Sequence, residues 1–320
     1  MGIPSYYRQL LQDVPELVIK QHPTDALSWL FMDFNGLIYQ CLQRADVPLY
    51  CETEKEQWET AFLEIVVHVT LEMIRQVAPT DGVFLAIDGI VPMAKMRQQR
   101  LRRFTSVWLR KQQAHTSTDH QARWDTNAIT PGTVFMTRLR QRLEQMIREQ
   151  GTAQWHLSSS DEPGEGEHKI LSAWRTGAYQ GSVAVYGLDA DLIVLSLLGM
   201  ETAGLTQIWL FREETPPSPV KTDACASQPP PFSVMEWFSV HALRRWLVRH
   251  VLPDSHRVFL LSYILAMSFL GNDFLPRSIG LTLRQEGHSV LLEALHLLLS
   301  QGTFLVCPKT LELNEMGLTF

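Results

Sequence analysis

The stretch Pro163-Gly164-Glu165-Gly166-Glu167-His168-Lys169 sets two carboxylates one residue apart, each preceded by glycine, where the apolar helical pattern Ile170, Leu171, Ala173, Trp174 begins. Glycine lets the backbone bend and a ligand come close. Carboxylates near a helix N-terminus sit at the favourable end of its dipole. Such a junction suits a divalent cation, but acidic turn-to-helix junctions are also common on surfaces. The deciding question is whether other acids can reach the same ion. Five more stand at the ends of apolar elements: Asp33, Asp88, Asp189, Asp191 and Asp273. Oxygen ligands without clustered Cys or His favour Mg²⁺ or Mn²⁺ over zinc. Seven carboxylates on one sheet edge would repel one another without cations. Two ions about 3.5 to 4 Å apart, one activating water and one stabilising the leaving oxygen, would relieve that repulsion and cleave a phosphodiester in line.

A second charged group stands beside the first. Residues 89–118 contain no acid but hold Lys95, Arg97, Arg100, Arg102, Arg103, Arg110 and Lys111. Lys95, Gln98, Gln99, Arg102 and Arg103 recur at three- and four-residue spacings, so several share one helical face. A solvated basic helix is the plain reading. Against it, salt-bridging acids are missing and the run starts seven residues after Asp88. Positive charge concentrated beside negative charge points to a phosphate held against metal ions.

The elements that must position these groups follow from hydrophobic patterning. Residues 28–34 and 83–87 are continuous apolar runs, the mark of strands buried in a parallel sheet, and Asn35-Gly36 and residues 79–82 read as turns. Asp33 and Asp88 then sit where the strands end, on the edge where open α/β sheets bind ligands. Helical periodicity covers residues 61–77 and 134–149, the latter with Pro131 near its first turn. Residues 154–157, 182–186 and 207–211 read as further strands, and 192–198 as a helix. The C-terminal part reads as helices over 238–251, 258–270 and 290–299. Residues 215–231 hold six prolines and few large apolar residues, which predicts a loop or insertion. The expected fold is α/β, a central mostly parallel sheet flanked by helices with a largely helical C-terminal part.

Composition bounds the remaining classes. At 320 residues, 45% hydrophobic and 19% charged, the chain can bury a large core and is not mostly disordered. Its formal net charge of -6 argues against a polycation that coats nucleic acid, while allowing a local basic site. Cys41, Cys51, Cys225 and Cys307 form no Cys-x-x-Cys pair, so neither zinc nor a disulfide framework is indicated, and a reducing compartment, the cytoplasm or the nucleus, is expected. No secretory signal or membrane span is expected.

The chain resembles the N-terminal nuclease region of the 5′→3′ exoribonuclease (XRN) family, itself similar to flap-endonuclease and PIN-like nucleases. The resemblance rests on Met1-Gly2-Ile3-Pro4 with Tyr7-Arg8, Met32-Asp33-Phe34-Asn35-Gly36, Asp88-Gly89 through Phe104, Ile129-Thr130-Pro131-Gly132, Pro163 through Lys169, Tyr186 through Leu192, and Gly271-Asn272-Asp273-Phe274-Leu275-Pro276. It implies that Asp33, Asp88, Glu165, Glu167, Asp189, Asp191 and Asp273 hold two Mg²⁺ ions, or Mn²⁺. It also implies that Lys95, Gln99, Arg102 and Arg103 form the pocket for a 5′-monophosphate on single-stranded RNA. Tyr39 stands where family members often carry a base-stacking His, and it can supply an aromatic face.

The resemblance thus implies a metal-dependent 5′→3′ exoribonuclease releasing mononucleotides, with residues 1–320 as one nuclease domain. Larger family enzymes continue into a second conserved region, which a partner protein could supply. Two other readings stay open at this point. One is a 5′ exonuclease or flap nuclease on DNA, since no residue here reads a 2′-hydroxyl. The other is a noncatalytic RNA 5′-end binding module, whose usual mark would be lost metal-site acids.

Overall fold

A computed structural model of the chain describes residues 3, 5–116, 123–151, 154–213, 235–276, 278, 280–283 and 286–319. The proline-rich loop expected at 215–231 lies outside them, as do Met1, Gly2 and Pro4 of the N-terminal motif. The chain divides into two compact units, one built from Trp29–Ile170 and the other from Met1–Ser28, Leu171–Glu213 and Met235–Phe320.

The N-terminal segment, part of the second unit, forms α1 (Tyr6–Asp13), which buries Tyr6, Tyr7 and Leu10. Pro15 then opens a short 3₁₀ turn and the two-residue strand β1 (Val18–Ile19) follows. That strand was not expected from the sequence.

The first unit is built on three parallel strands. β2 (Trp29–Asp33) runs directly into α2 (Phe34–Cys41), and α3 (Lys55–Val77) leads to β3 (Gly82–Ala86). α4 (Met93–Thr116) carries the basic run, and α5 (Val134–Gln150) precedes β4 (Gln154–Ser158) and the first turn of α6 (Gly166–Arg175). Asn35-Gly36, expected as a turn, lies instead in the first turn of α2. Phe34, Leu37, Ile38 and Cys41 are all buried, and this i, i+3, i+4, i+7 stripe carries the helix through its glycine. Pro131 stands before the N-cap and not in the first turn of α5; the cap is Thr133, whose hydroxyl accepts from the Met136 N–H at 3.3 Å. α3 and α5 pack through stacked Phe62 and Phe135 (centroids 6.1 Å apart), with Trp58 stacked on Phe62 at 5.2 Å, Trp124 edge-on to Phe135 at 4.8 Å, and Arg142 Nε 2.6 Å from Glu64 Oε1 on the rim.

In the second unit β5 (Ser182–Tyr186) and β6 (Gln207–Glu213) pair in parallel, with α7 (Asp191–Ala203) between them in sequence. β7 (Met235–Ser239) runs antiparallel to β6, and β1 antiparallel to β7. β7 corrects the sequence reading, which began a helix at Phe238; the helix α8 (Val240–Leu247) starts only after the Ser239 cap, whose Oγ accepts from Ala242 N at 3.0 Å. α9 (His256–Met267), α10 (Gly287–Ser300) and α11 (Glu315–Thr319) complete the largely helical C-terminal part. The class is α/β, with antiparallel pairing confined among the described strands to the pairs β6–β7 and β7–β1. No helix among the described residues is long and apolar enough to cross a membrane.

Candidate metal centre and phosphate-binding helix

In the first unit the strand register aligns Asp33, Ala86 and Ser158 at the carboxyl ends of β2, β3 and β4. Asp88 follows two residues after β3, and the segment from Ser159 to Glu165 follows β4. These two loops are stitched together. Gly89 N donates to Gly164 O (2.8 Å), Gly164 N to Ile90 O (2.9 Å), and the buried Lys169 Nζ to Ile87 O and Ser159 O, both at 2.7 Å. A side chain at Gly89 would collide with the Glu162 carbonyl, so close backbone approach dictates glycine there. From α2, Asn35 Oδ1 accepts from the Asp88 N–H at 3.0 Å.

The acids converge on the start of α6. The Gly166 N–H donates to Asp88 Oδ1 at 2.8 Å, and a Cβ on Gly166 would strike Asp33 Oδ1. Glu165 and Glu167, flanking that glycine, are buried. Lys95 Nζ lies 2.8 Å from Glu165 Oε1, with both side chains 8% exposed. Burial, aided by the like charge of Glu165, pushes the Asp88 carboxyl up, against the pull of the Gly166 N–H, Lys95 and Lys169.

His168 joins this group: one ligand atom from each of Glu165, Glu167 and His168 lies within 4.8 Å of the others. Burial pushes the imidazole down, toward the neutral form that can ligate. Sequence reasoning assigned no role to His168 or Lys169. Their signal was position, since His168 and Lys169 stand three and four residues after Glu165, on the same side of a helix.

α4 presents Lys95, Gln99, Arg102 and Arg103 at helical spacing, from buried Lys95 through half-buried Gln99 and Arg103 to exposed Arg102. Tyr39, 41% exposed on α2, is close enough to feel them: burial raises its hydroxyl pKa, Arg102 and Arg103 lower it, and Asp88 raises it. The structure therefore gathers Asp33, Asp88, Glu165, Glu167, Lys95, Tyr39, Arg102 and Arg103 in one unit.

The other three acids form a group in the second unit. Asp189 and Asp191 flank the junction of β5 and α7, and Asp191 Oδ1 accepts from the Ile3 N–H at 3.0 Å. Burial, together with the charges of Asp273 and Asp189, pushes Asp191 up to about 6 despite that bond. Asp273 is presented by an Asn272 turn, in which Asn272 Oδ1 accepts from Phe274 N (2.9 Å) and Leu275 N (2.8 Å). Arg212 on β6, 6% exposed, also feels the Asp189 charge. Its guanidinium lies 3.7 Å over the Tyr7 ring, and Tyr7 OH donates to Glu236 of β7. Sequence reasoning missed Arg212 because a charge inside an apolar strand carries no motif.

The donor set fits hard cations. It is all carboxylate with one imidazole, and Glu165 Oε2 is buried without a hydrogen-bond partner, an acceptor left for a metal or its water.

Residues 1–214 match the family model described as XRN 5′-3′ exonuclease N-terminus. The chain is 31% identical over 311 residues to 5′-3′ exoribonuclease 1 of Homo sapiens, covering 86% of this chain and 17% of that protein. It is 30% identical over 315 residues to 5′-3′ exoribonuclease 1 of Schizosaccharomyces pombe, covering 89% and 23%. To 5′-3′ exoribonuclease 2 of Debaryomyces hansenii it is 28% identical, covering 99% and 37%. The chain thus spans well under half the length of these relatives. Among solved structures, the catalytic core of Rad2 in complex with DNA substrate aligns with a TM-score of 0.44 at 13% identity, over 92% of this chain and 69% of that one. With two thirds of its length under the family model, the chain belongs to the XRN 5′-3′ exonuclease N-terminus family.

Proposed function

We propose that this chain is a metal-dependent 5′→3′ exoribonuclease domain that removes mononucleotides from 5′-monophosphorylated single-stranded RNA. The observation that carries the reading is α4: a helix that ends its inner side on Glu165 through Lys95 (2.8 Å) and continues the same side with Gln99, Arg102 and Arg103 beside Tyr39. When bound by Asp33, Asp88, Glu165, Glu167, Asp189, Asp191 and Asp273, two Mg²⁺ or Mn²⁺ ions supply an activated water and stabilisation of the leaving oxygen.

The side chains do the rest. Arg102 and Arg103 grip the terminal phosphate through paired N–H donors, Gln99 adds a neutral donor, and Lys95 supplies charge between phosphate and carboxylates. Tyr39 offers its ring to the first base. A pocket that closes on a monophosphate selects a 5′ end and rejects a cap or triphosphate on size. In this reading residues 1–320 work as one nuclease domain in a reducing compartment, cytoplasm or nucleus.

The test is degradation of a 5′-monophosphorylated RNA labelled separately at each end, with a matched DNA strand alongside. Mononucleotides released from the 5′ end, lost with EDTA and in Glu167→Gln, are expected. Internal cuts, or full activity of Glu167→Gln, would overturn the proposal. Preference for the DNA strand would reassign the substrate.

A further inference from the structure

Among the described contacts of Asp191, the hydrogen bond from the Ile3 backbone N–H is the one that fixes its carboxylate to the N-terminal segment. Ile3 in turn is tied to α1, because Tyr6 N donates to Ile3 O at 3.3 Å. The placement of α1 therefore decides whether Ile3 reaches Asp191.

α1 is gripped at both ends by one closed chain of polar groups. Tyr6 OH lies 2.6 Å from Tyr263 OH on α9, Tyr263 OH lies 2.9 Å from His288 Nε2 on α10, and His288 Nδ1 faces Asp13 Oδ2, on the last residue of α1, across 3.6 Å. Tyr6 and Tyr263 are completely buried and His288 is 2% exposed. The donors sort themselves. A carboxylate only accepts, so His288 carries its proton on Nδ1 and accepts at Nε2 from Tyr263 OH, which leaves the Tyr263 oxygen to accept from Tyr6 OH. Burial holds both phenols protonated and the imidazole neutral, the states this direction requires. Trp246 of α8 stacks on His288 with centroids 6.3 Å apart and 14° between planes, fixing the ring's orientation.

If space-filling were the whole role, phenylalanine would serve at both tyrosine positions. Two hydroxyls and an imidazole sunk in a core instead specify one docking position, because any slip of α1 would strand buried polar atoms. We propose that Tyr6, Tyr263, His288 and Asp13 are positioning residues that hold α1 where the Ile3 N–H orients Asp191 for its cation. The proposal rests on the reading of Asp191 as a metal ligand.

The experiment titrates Mn²⁺ into the full chain, followed by electron paramagnetic resonance, for wild type, Tyr263→Phe and Tyr6→Phe, with deuterium uptake of the α1 peptide measured in parallel. Both variants keep the ring, so either one decides if the other fails to fold. Expected are roughly tenfold weaker Mn²⁺ binding, the size usual for outer-shell partners, and faster exchange in α1, with KM for 5′-phosphorylated RNA unchanged. His288→Gln, whose amide keeps a donor and an acceptor, should bind Mn²⁺ more tightly than His288→Leu. Affinity within twofold of wild type in the tyrosine variants would overturn the proposal, and so would equal losses in the two His288 variants, which would assign the effect to packing. A wild-type chain that binds no Mn²⁺ would instead refute the metal-ligand reading itself, and the positioning role with it.

Discussion

The two groups of carboxylates stand in different electrostatic surroundings, although burial pushes a carboxyl up in each, Asp88 in the first and Asp191 in the second. In the first unit Glu165 has a built-in counterion, Lys95 at 2.8 Å, and Lys169 also bears on Asp88. In the second, Asp191 has a backbone N–H and two like charges, and its carboxyl is pushed up to about 6. A carboxylate already paired inside the protein is arranged before a cation arrives. One that is buried among its own kind gains most when the cation comes, because only then is its charge compensated. In the proposed two-ion site the first group is thus the preorganised one and the second the more cation-dependent.

The contrast can be broken outright by Asp189→Asn. If Asp189 is the ligand proposed, its loss should cost several kcal/mol of transition-state stabilisation, a drop of roughly 10³-fold in mononucleotide release, while circular dichroism stays that of the folded chain. Full activity would remove Asp189 from the chemistry. Lys95→Met attacks the preorganised side. It leaves Glu165 buried without its partner, which should cost about 3 kcal/mol in urea unfolding, and millimolar Mg²⁺ should restore part of that loss by charging the same site. An effect untouched by Mg²⁺ would mean that the pair is purely structural.

A smaller effect is expected from Arg102→Ala, which would remove the exposed charge-assisted contact proposed with the 5′-phosphate. The preference for 5′-phosphate over 5′-hydroxyl RNA should fall about tenfold, and an unchanged ratio would take Arg102 out of the pocket. The smallest concerns His288, whose pKa is depressed in the folded state. The unfolded chain then binds more protons, so its contribution is complete above about pH 6.5 and is lost as pH falls toward the folded value. His288→Gln should therefore flatten the decline in stability between pH 7 and 5.5 by at most about 1.4 kcal/mol per pH unit. Parallel pH curves for the two proteins would count against a neutral buried imidazole.

Continuous apolar runs made β2, β3, β5 and β6 legible, and the acids at or just beyond their ends could be picked out because a carboxylate interrupting such a run has few structural excuses. What escaped was polar chemistry inside elements. β7 carries Glu236 and Ser239, both buried, so its sequence lacks the apolar run of its neighbours. Glu236 is paired with Arg212 across the β6–β7 register and accepts from Tyr7, contacts that no local pattern announces. Asn35-Gly36 misled in the opposite way: a dipeptide that favours turns was overruled by the buried stripe of α2. Lys169 and His168 were in plain view within the motif, but Lys169 acts on the Ile87 and Ser159 carbonyls, which folding brings in from outside it, and His168 acts through a ring turned toward Glu165 and Glu167 only once the helix forms. The division of the seven acids into groups of four and three was likewise invisible before folding.

Gly166 sets a dimension of this chemistry. Its missing side chain is the clearance through which Asp33 meets the start of α6, and its N–H holds Asp88. Anyone transplanting these carboxylates onto another sheet would find the tolerance of the graft written there. A single added methyl would have to displace an aspartate, so helix and strand must be brought to bare backbone contact before any acid is chosen.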